Sequence, residues 1–466
     1  MPPTGPAARP PVWGGRPVRA AAQRSFLERA LGLVTRVEQG EATTALLLTL
    51  NGFLLLAAYA CIKPVREALI LTLPKGAEVK TYLSAGMAGV FLFAVPAYGK
   101  VAARLPRNRL VIGVTVFFAS HLLLFYGLGT GLGPSAPLAL AFYLWIGVFN
   151  MMVVAQFWAF ANDIYSEEMG RRLFPLLGLG ASVGAVVGSG IADALIAHVG
   201  TMAMLLIAAV LLLLSAAATE VVHRRELGRA ASAESRAMAV ARVAEGRGDA
   251  FRVVFRHRYA TLIAFFSLLF TLVKTNGEYV LAKLVQDAAK AGILQGEISA
   301  AHVTEYVASF YAQFLFYVDG VSLVIQALLV SRLVKYLGVG VAFFVLPAVA
   351  LVDASLIFFL PLLAIVKYGK VVENATDYSV NNTVRAMLWL PTPRQVKYLA
   401  KQAVDTFFVR MGDVASAAVV FVGVHAFGWS VRAFAACNVA LVLGWIVLAR
   451  GILRERSRLI AGDARS

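Results

Sequence analysis

The sequence predicts an all-α, polytopic membrane protein of about twelve transmembrane helices. Three observations predict it. Of 466 residues, 59% are apolar and only 15% charged, where soluble domains carry about 25% charged residues; the mean hydropathy is +0.75. The apolar residues fall in blocks long enough to cross the hydrocarbon, which takes about 20 residues. The cations are confined to tracts between or outside those blocks, as expected when cytoplasmic loops retain the positive charge.

Taken in order, residues 1–44 are rich in Pro, Ala and Arg (Arg9, Arg16, Arg19, Arg24, Arg29, Arg36) and lack the early apolar run of a cleaved signal peptide. They read as a cytoplasmic tail. Apolar blocks follow at 45–65, 81–103, 110–132, 137–161, 174–198 and 201–222, then at 256–282, 304–331, 339–360, 361–382, 402–427 and 430–450. The tenth carries Lys367, Lys370, Glu373 and Asp377, a composition suited to a helix facing the bundle interior rather than lipid. Residues 223–255 hold seven arginines and form the one long charged stretch in mid-chain, dividing a six-span half (45–222) from another (256–450). The tail at 451–466 is basic again. Alternate connections carry Arg104, Arg107 and Arg109, Arg171 and Arg172, Arg332 and Lys335, and Arg394, Lys397 and Lys401, whereas 127–137 has no charge. Both termini are therefore expected in the cytoplasm, with the bilayer as the principal partner. Two halves of six spans are the layout of a major-facilitator-type permease, built from parallel repeats. Lys63 and Glu67 in CIKPVREALIL and Lys274 and Glu278 in TLVKTNGEYVL repeat the same i, i+4 pair in the first span of each half.

Several function classes are disfavoured. The net charge of +17 sits in topology-setting tracts with no accompanying nucleic-acid motif. Cys61 and Cys437 lie in apolar runs without disulfide or metal-ligand spacing. The six histidines are scattered, and no H-E-x-x-H or G-x-S-x-G motif occurs, so neither an enzyme nor a cofactor is implied. The run GLGLGASVGAVVGSG lacks the strand and the Lys-Ser/Thr of a phosphate loop. Its Gly180, Gly184 and Gly188 recur every four residues, as on a helix face built for close packing.

Charges inside spans cost about 2.5–3.5 kcal/mol each on insertion scales, which makes them the candidates for a pathway. They are Lys63, Arg66 and Glu67 in span one, Lys274 and Glu278 in span seven, and Asp405, Arg410 and Asp413 in span eleven. One reading pairs Lys63 with Glu67, Lys274 with Glu278 and Arg410 with Asp413 as ion pairs snorkelling at helix ends. The other places them in a polar central cavity where cations meet an anionic substrate. At the cytoplasmic end, Asn162, Asp163, Glu167, Glu168, Arg171 and Arg172 interleave both signs and read as a gating cluster rather than a metal site.

The stretch FWAFANDIYSEEMGRRLFPLLGLGAS (157–182) resembles a segment of the ATP/ADP translocases of plastids and intracellular bacteria, the NTT nucleotide transporter family. DYSVNNTVRAMLWLPTPRQVKYLAKQAVD (377–405) is similar to the family's segment from the tenth to the eleventh helix, and KPVREALILT to its first-helix ending. The resemblance implies a twelve-helix permease exchanging ATP for ADP. Aligned by these motifs, the family's first-helix lysine falls at Arg66, its fourth-helix glutamate at Ile146, its seventh-helix glutamate at Lys274 and its eleventh-helix lysine at Asp413. Asn150, one turn beyond Ile146, supplies polarity without charge. On this reading Arg66 and Lys274 hold phosphate oxygens, while Glu278 and Asp413 pair with them in the empty site; Lys63 and Asn150 complete the candidate set. A permease for another organic anion, proton-coupled or not, is the alternative. A non-transporting membrane sensor or scaffold comes after it, since no soluble domain accompanies the spans.

Overall fold

The computed structural model describes residues 35, 37–38, 40–102, 104–227 and 247–463. Six long helices come first: α1 (Ala42–Leu71), α2 (Gly76–Ala102), α3 (Arg107–Gly131), α4 (Ala136–Ile164), α5 (Glu167–Val199) and α6 (Ala203–Leu227). A short α7 (Arg247–Arg256) leads into α8 (Arg258–Leu294), α9 (Val303–Leu328), α10 (Val330–Phe359), α11 (Leu363–Thr376), α12 (Asn382–Leu388), α13 (Arg394–Ala403), α14 (Val409–His425) and α15 (Val431–Asp463). Among the described residues, eleven stretches are long and apolar enough to cross a membrane. The anticipated tenth span is the exception. There α11 passes through a π-helical turn, Asp377–Asn381, into α12, so the helix runs from Leu363 to Leu388 but is broken and charged. A second π turn, Val404–Phe408, joins α13 to α14. Wide turns of this kind recur at functional sites, because they push side chains out of the regular helical phase.

Helix ends follow local chemistry. Ser166 caps α5 by accepting from the Met169 amide, and Gly200, at φ +82°, makes the left-handed turn into α6. Short connections make successive long helices antiparallel. One end of the bundle thus gathers the basic segments with Arg104, Arg107, Arg109, Arg171, Arg172, Arg224 and Arg225, and the other gathers 72–75, 132–135, 200–202 and 426–430. The arginines of the 223–255 tract at 229, 236 and 242 lie outside the described residues, as does most of the N-terminal tail.

α1 lies at the centre of its group, packed on α4, α5, α6 and α9. The glycine face of α5 is what lets α1 approach. A Cβ built at Gly184 or Gly188 would overlap the main-chain oxygen of Phe53 or Ala57, and one at Gly180 would overlap Thr49. These three glycines therefore meet a helix and not lipid, as their four-residue spacing implies. Polar ties reinforce the centre: Asn51 on α1 donates to Thr219 on α6 at 2.8 Å, and Asn276 on α8 donates to Asn438 on α15 at 2.7 Å. Outward faces are apolar and exposed, with Leu92, Phe93, Phe117, Val210, Leu214 and Val447 where lipid would cover them. Helices before and after the basic stretch meet through α1 and α5 against α9, and through α2 against α8 and α14.

Candidate functional site

A cavity of about 510 Å³ lies among α1, α2, α4, α8, α9, α11 and α14, and Lys63, Arg66, Asn150, Lys274, Glu278 and Asp413 all line it. Its size is that of a small-molecule site. The lining also includes Glu67, Lys80 and Arg410, so five cations face three carboxylates.

The charges arrange themselves around one lysine. Lys80 reaches Glu67 at 2.7 Å and lies 3.9 Å from Glu278. The two glutamates that repeat between the first helices of the two groups thus converge on the same ammonium. Glu67, 2% exposed, also holds Arg66, and Glu278 accepts from Asn374 at 2.9 Å. Lys274 donates to Asp377 at 2.6 Å, and Asp377 accepts in turn from Asn381 at 2.9 Å. Asp413 accepts from Thr275 at 2.8 Å and from Arg410 at 3.0 Å.

These contacts correct the expected pairings. Lys63 does not pair with Glu67; it stands 4.7 Å from the centre of the Tyr59 ring and feels the charge of Asp319 on α9. Neither Glu278 nor Asp413 takes Lys274 or Arg66 as its direct partner. The reason is the π turn after α11, which carries Asp377 toward α8. Of the snorkelling pairs, only Arg410–Asp413 forms, and its members line the cavity instead of a helix end.

Aromatic rings back each cation. The guanidinium of Arg66 lies 5.2 Å from Tyr143, Lys80 is 5.3 Å from Tyr311, Lys274 is 4.9 Å from Tyr378, and Arg410 is 4.9 Å from Phe91. Ring faces attract cations without neutralising them, which leaves the positive charge available to an anion. A surplus of cations bordered by rings can hold phosphate oxygens by charge-assisted hydrogen bonds and offer a base a surface to stack on.

Side-chain links between the two groups of helices gather toward one end. Gln286 on α8 donates to the main-chain oxygens of Leu71 and Leu73 at 2.9 and 2.8 Å. Glu78 on α2 lies 3.4 Å from His425 on α14, and Tyr82 meets Phe421 edge to face. This is the end opposite the arginine-rich one, and it roofs the cavity.

The gating cluster is distributed differently from its expected form. Asn162, Asp163, Glu168 and Arg171 are exposed at the basic end, remote from the cavity lining. Asp163 pairs with Arg107 of α3 at 2.8 Å, and Arg172 with Glu41 at 3.0 Å and Glu38 at 3.4 Å, both just before α1. Two of these pairs tie α4 to α3 and α5 to the residues before α1. Lys80 and Asp377 escaped the sequence-based site. Lys80 sits in the second turn of α2, where it reads as an interfacial residue, and Asp377 as one more charge in an atypical span.

The TLC ATP/ADP transporter family matches residues 140–455, more than half of the chain and including the segments 157–182 and 377–405. No curated protein sequence matches. Among solved structures, the nucleoside transporter NupG is similar over 88% of this chain and 98% of its own, at TM-score 0.59 and 11% identity. A bacterial homologue of the human lysosomal transporter Spinster matches over 92% and 99%, at TM-score 0.57 and 14% identity. A POT family transporter matches over 88% and 96%, at TM-score 0.58 and 12% identity. At such identities these likenesses establish a major-facilitator-type fold and nothing finer. With the fold from the solved structures and the family from the sequence match, the chain belongs to the TLC ATP/ADP transporter family and is a multi-pass nucleotide transporter.

Proposed function

We propose that the protein exchanges ATP for ADP across a cell's inner membrane, by alternating access of two six-helix halves, residues 45–222 and 256–450, with both termini cytoplasmic. The observation that carries this reading is the cavity lining, where five ring-backed cations outnumber three carboxylates. Both groups of helices contribute cations: Lys63, Arg66 and Lys80 from one, Lys274 and Arg410 from the other. A polyphosphate bound between them draws the two groups together, which alternating access requires.

The departures from the family's charge pattern also support it. The glutamate displaced by Lys274 has a counterpart one turn on, in Glu278, and the lysine displaced by Asp413 has one in Arg410, three residues earlier; both counterparts line the cavity. Residues three or four apart share a helix face. The charges have moved along their helices while staying in the site. Only the position at Ile146, 1% exposed, lacks a charged substitute nearby.

In this reading Arg66 and Lys80 take phosphate oxygens, and substrate competes with Glu67 for them. Asn150, on α4 beside α1 and α2, also lines the cavity and orients the nucleotide by hydrogen bonding. Liposomes holding the purified protein and ADP should take up labelled ATP, and uptake should fall when internal nucleotide is omitted. Arg66→Ala should weaken nucleotide binding by about 1.5–3 kcal/mol, the range for hydrogen bonds involving ions, or roughly tenfold and more. Uptake of another organic anion with no binding of any nucleotide would sink the reading.

The orientation has its own check. A single cysteine at Ser135, in a background lacking Cys61 and Cys437, should react with an impermeant reagent from outside intact cells. One placed at Ser235 should react only after the cells are opened. The reverse labelling would invert the topology.

A further inference from the structure

A second hollow, of about 160 Å³, lies where α1 and α5 meet α9, and Leu56, Ser182, Asp319 and Gln326 are among its walls. Its origin is the size of the side chains on α5. Ala181, Ser182 and Ala185 line it, and residues this small leave space between packed helices that larger ones would fill. From the other side, Asp319, Ser322 and Gln326 fall at i, i+3 and i+7 of α9 and so share one helix face. The space is well under the about 300–1,000 Å³ of a pocket for a whole ligand. It suits one flat heterocycle.

The hollow is polar in a particular way. Asp319 is 8% exposed, and its Oδ2 has no hydrogen-bond partner. A carboxylate only accepts, so what this oxygen lacks is a donor. Gln326, exposed at the rim, brings an amide that can donate. Tyr378 lines both this hollow and the main cavity, and its ring offers a flat ligand a face to stack on. Along α1, Leu56 of the hollow and Arg66 of the main cavity are ten residues apart, about 15 Å at the helical rise. That distance is comparable with the extended reach of a nucleoside triphosphate from its last phosphate to its base.

We propose that this hollow takes the adenine of the nucleotide, with the exocyclic amino group donating to Asp319 and the ring nitrogen beside it accepting from the amide of Gln326. The inference rests on the nucleotide reading above and adds to it a means of choosing the base. Adenine sets a donor beside an acceptor, the complement of a carboxylate next to an amide N–H. With the phosphates at Arg66 and Lys80, the ribose passes Tyr378 and the base lies against its ring. A base carrying a carbonyl oxygen in place of the amino group turns an acceptor toward an acceptor and is rejected, since a buried polar group of the site is left unpaired. The base also bridges the seam between the two groups of helices, because α1 and α5 belong to one and α9 to the other.

The test is binding to the purified protein of ATP, of its analogue lacking only the 6-amino group, and of tripolyphosphate. The unmodified protein should bind ATP about tenfold or more tighter than the analogue, the range for a hydrogen bond to a charged group. In Asp319→Leu the two nucleotides should bind alike. The ratio is the readout because Asp319 also acts on Lys63 through its charge, and both nucleotides carry the same triphosphate. Gln326→Leu, at an exposed position that the fold does not need, should weaken both nucleotides several-fold and leave tripolyphosphate unchanged. Equal binding of the two nucleotides by the unmodified protein, a ratio that survives Asp319→Leu, or nucleotide binding indifferent to Gln326→Leu overturns the base site alone. Where Asp319→Leu does not fold, the unmodified protein and Gln326→Leu still decide. Absence of binding by either nucleotide to the unmodified protein would instead overturn the nucleotide reading, and the base site with it.

Discussion

Reversing Lys274 or Asp377 singly should abolish nucleotide transport, and reversing both together should restore part of it. The ammonium and carboxylate are 2.6 Å apart with side chains 26% and 12% exposed, so the pair is largely shielded from water. Lys274→Glu sets a carboxylate against Asp377 and one turn from Glu278; Asp377→Lys sets two ammonium groups together. Breaking a buried pair costs about 3–5 kcal/mol because a charge is left uncompensated, more than about a hundredfold in any step that needs the arrangement. The double variant Lys274→Glu with Asp377→Lys puts the bond back with its direction changed. Combining Lys274→Glu with Asp413→Lys should give no rescue, since Asp413 is engaged by Thr275 and Arg410. The measurement is uptake into liposomes at matched protein content. Full activity of either single reversal would dissolve the pair as a functional element.

The next largest effect is expected in the α1–α5 contact. Gly184→Leu should lower thermal stability in detergent sharply, because the obstacle to a side chain there is the main chain of Phe53, which no rotamer change can move aside. Overpacking costs about 1–3 kcal/mol where neighbours can shift, and here they belong to a helix. Gly184→Ala should already show part of the loss. Gly178 on the same helix provides the control, since a Cβ there meets nothing within 4 Å. Gly178→Ala should be neutral or stabilising by up to about 1 kcal/mol, the helix-propensity gain. Equal stability of Gly184→Leu and the unmodified protein would mean that α1 and α5 do not touch along this face.

Both predictions separate what the amino-acid pattern makes legible from what it hides. The spans are legible because lipid tolerates few alternatives to a long apolar helix, and the Gly180, Gly184, Gly188 face because residues four apart in sequence stay neighbours in space. The cavity lining is legible for a related reason. A charge in a span is expensive, so Lys63, Arg66, Lys274, Glu278 and Asp413 stand out, and all of them line one cavity. Their partners were not legible. Lys274 has Glu278 one turn away in sequence, yet bonds Asp377 from another helix, because a π turn shifts the phase of the chain at Asp377–Asn381 and no composition signal marks it. Lys80 reads as an interfacial residue because its burial depends on Glu67 and Glu278 closing over it. Tyr143, Tyr311 and Tyr378 look like the aromatic belt of any membrane protein until their rings are found beside cations. The charge cluster around Asp163 and Arg172 was visible as a cluster, but its pairings lead to Arg107 and Glu41, far away in sequence.

The closed end of the cavity has a one-sided dependence on sequence. Gln286 fastens α8 to the turn after α1 through the oxygens of Leu71 and Leu73, and both are peptide carbonyls. Every residue type brings that acceptor with it. Positions 71 and 73 can therefore drift in side-chain identity without erasing the latch, whereas a single codon change at 286 that removes the amide withdraws both bonds together. The burden of inheritance for this one latch, beside the Glu78–His425 and Tyr82–Phe421 contacts at the same end, falls on a single glutamine.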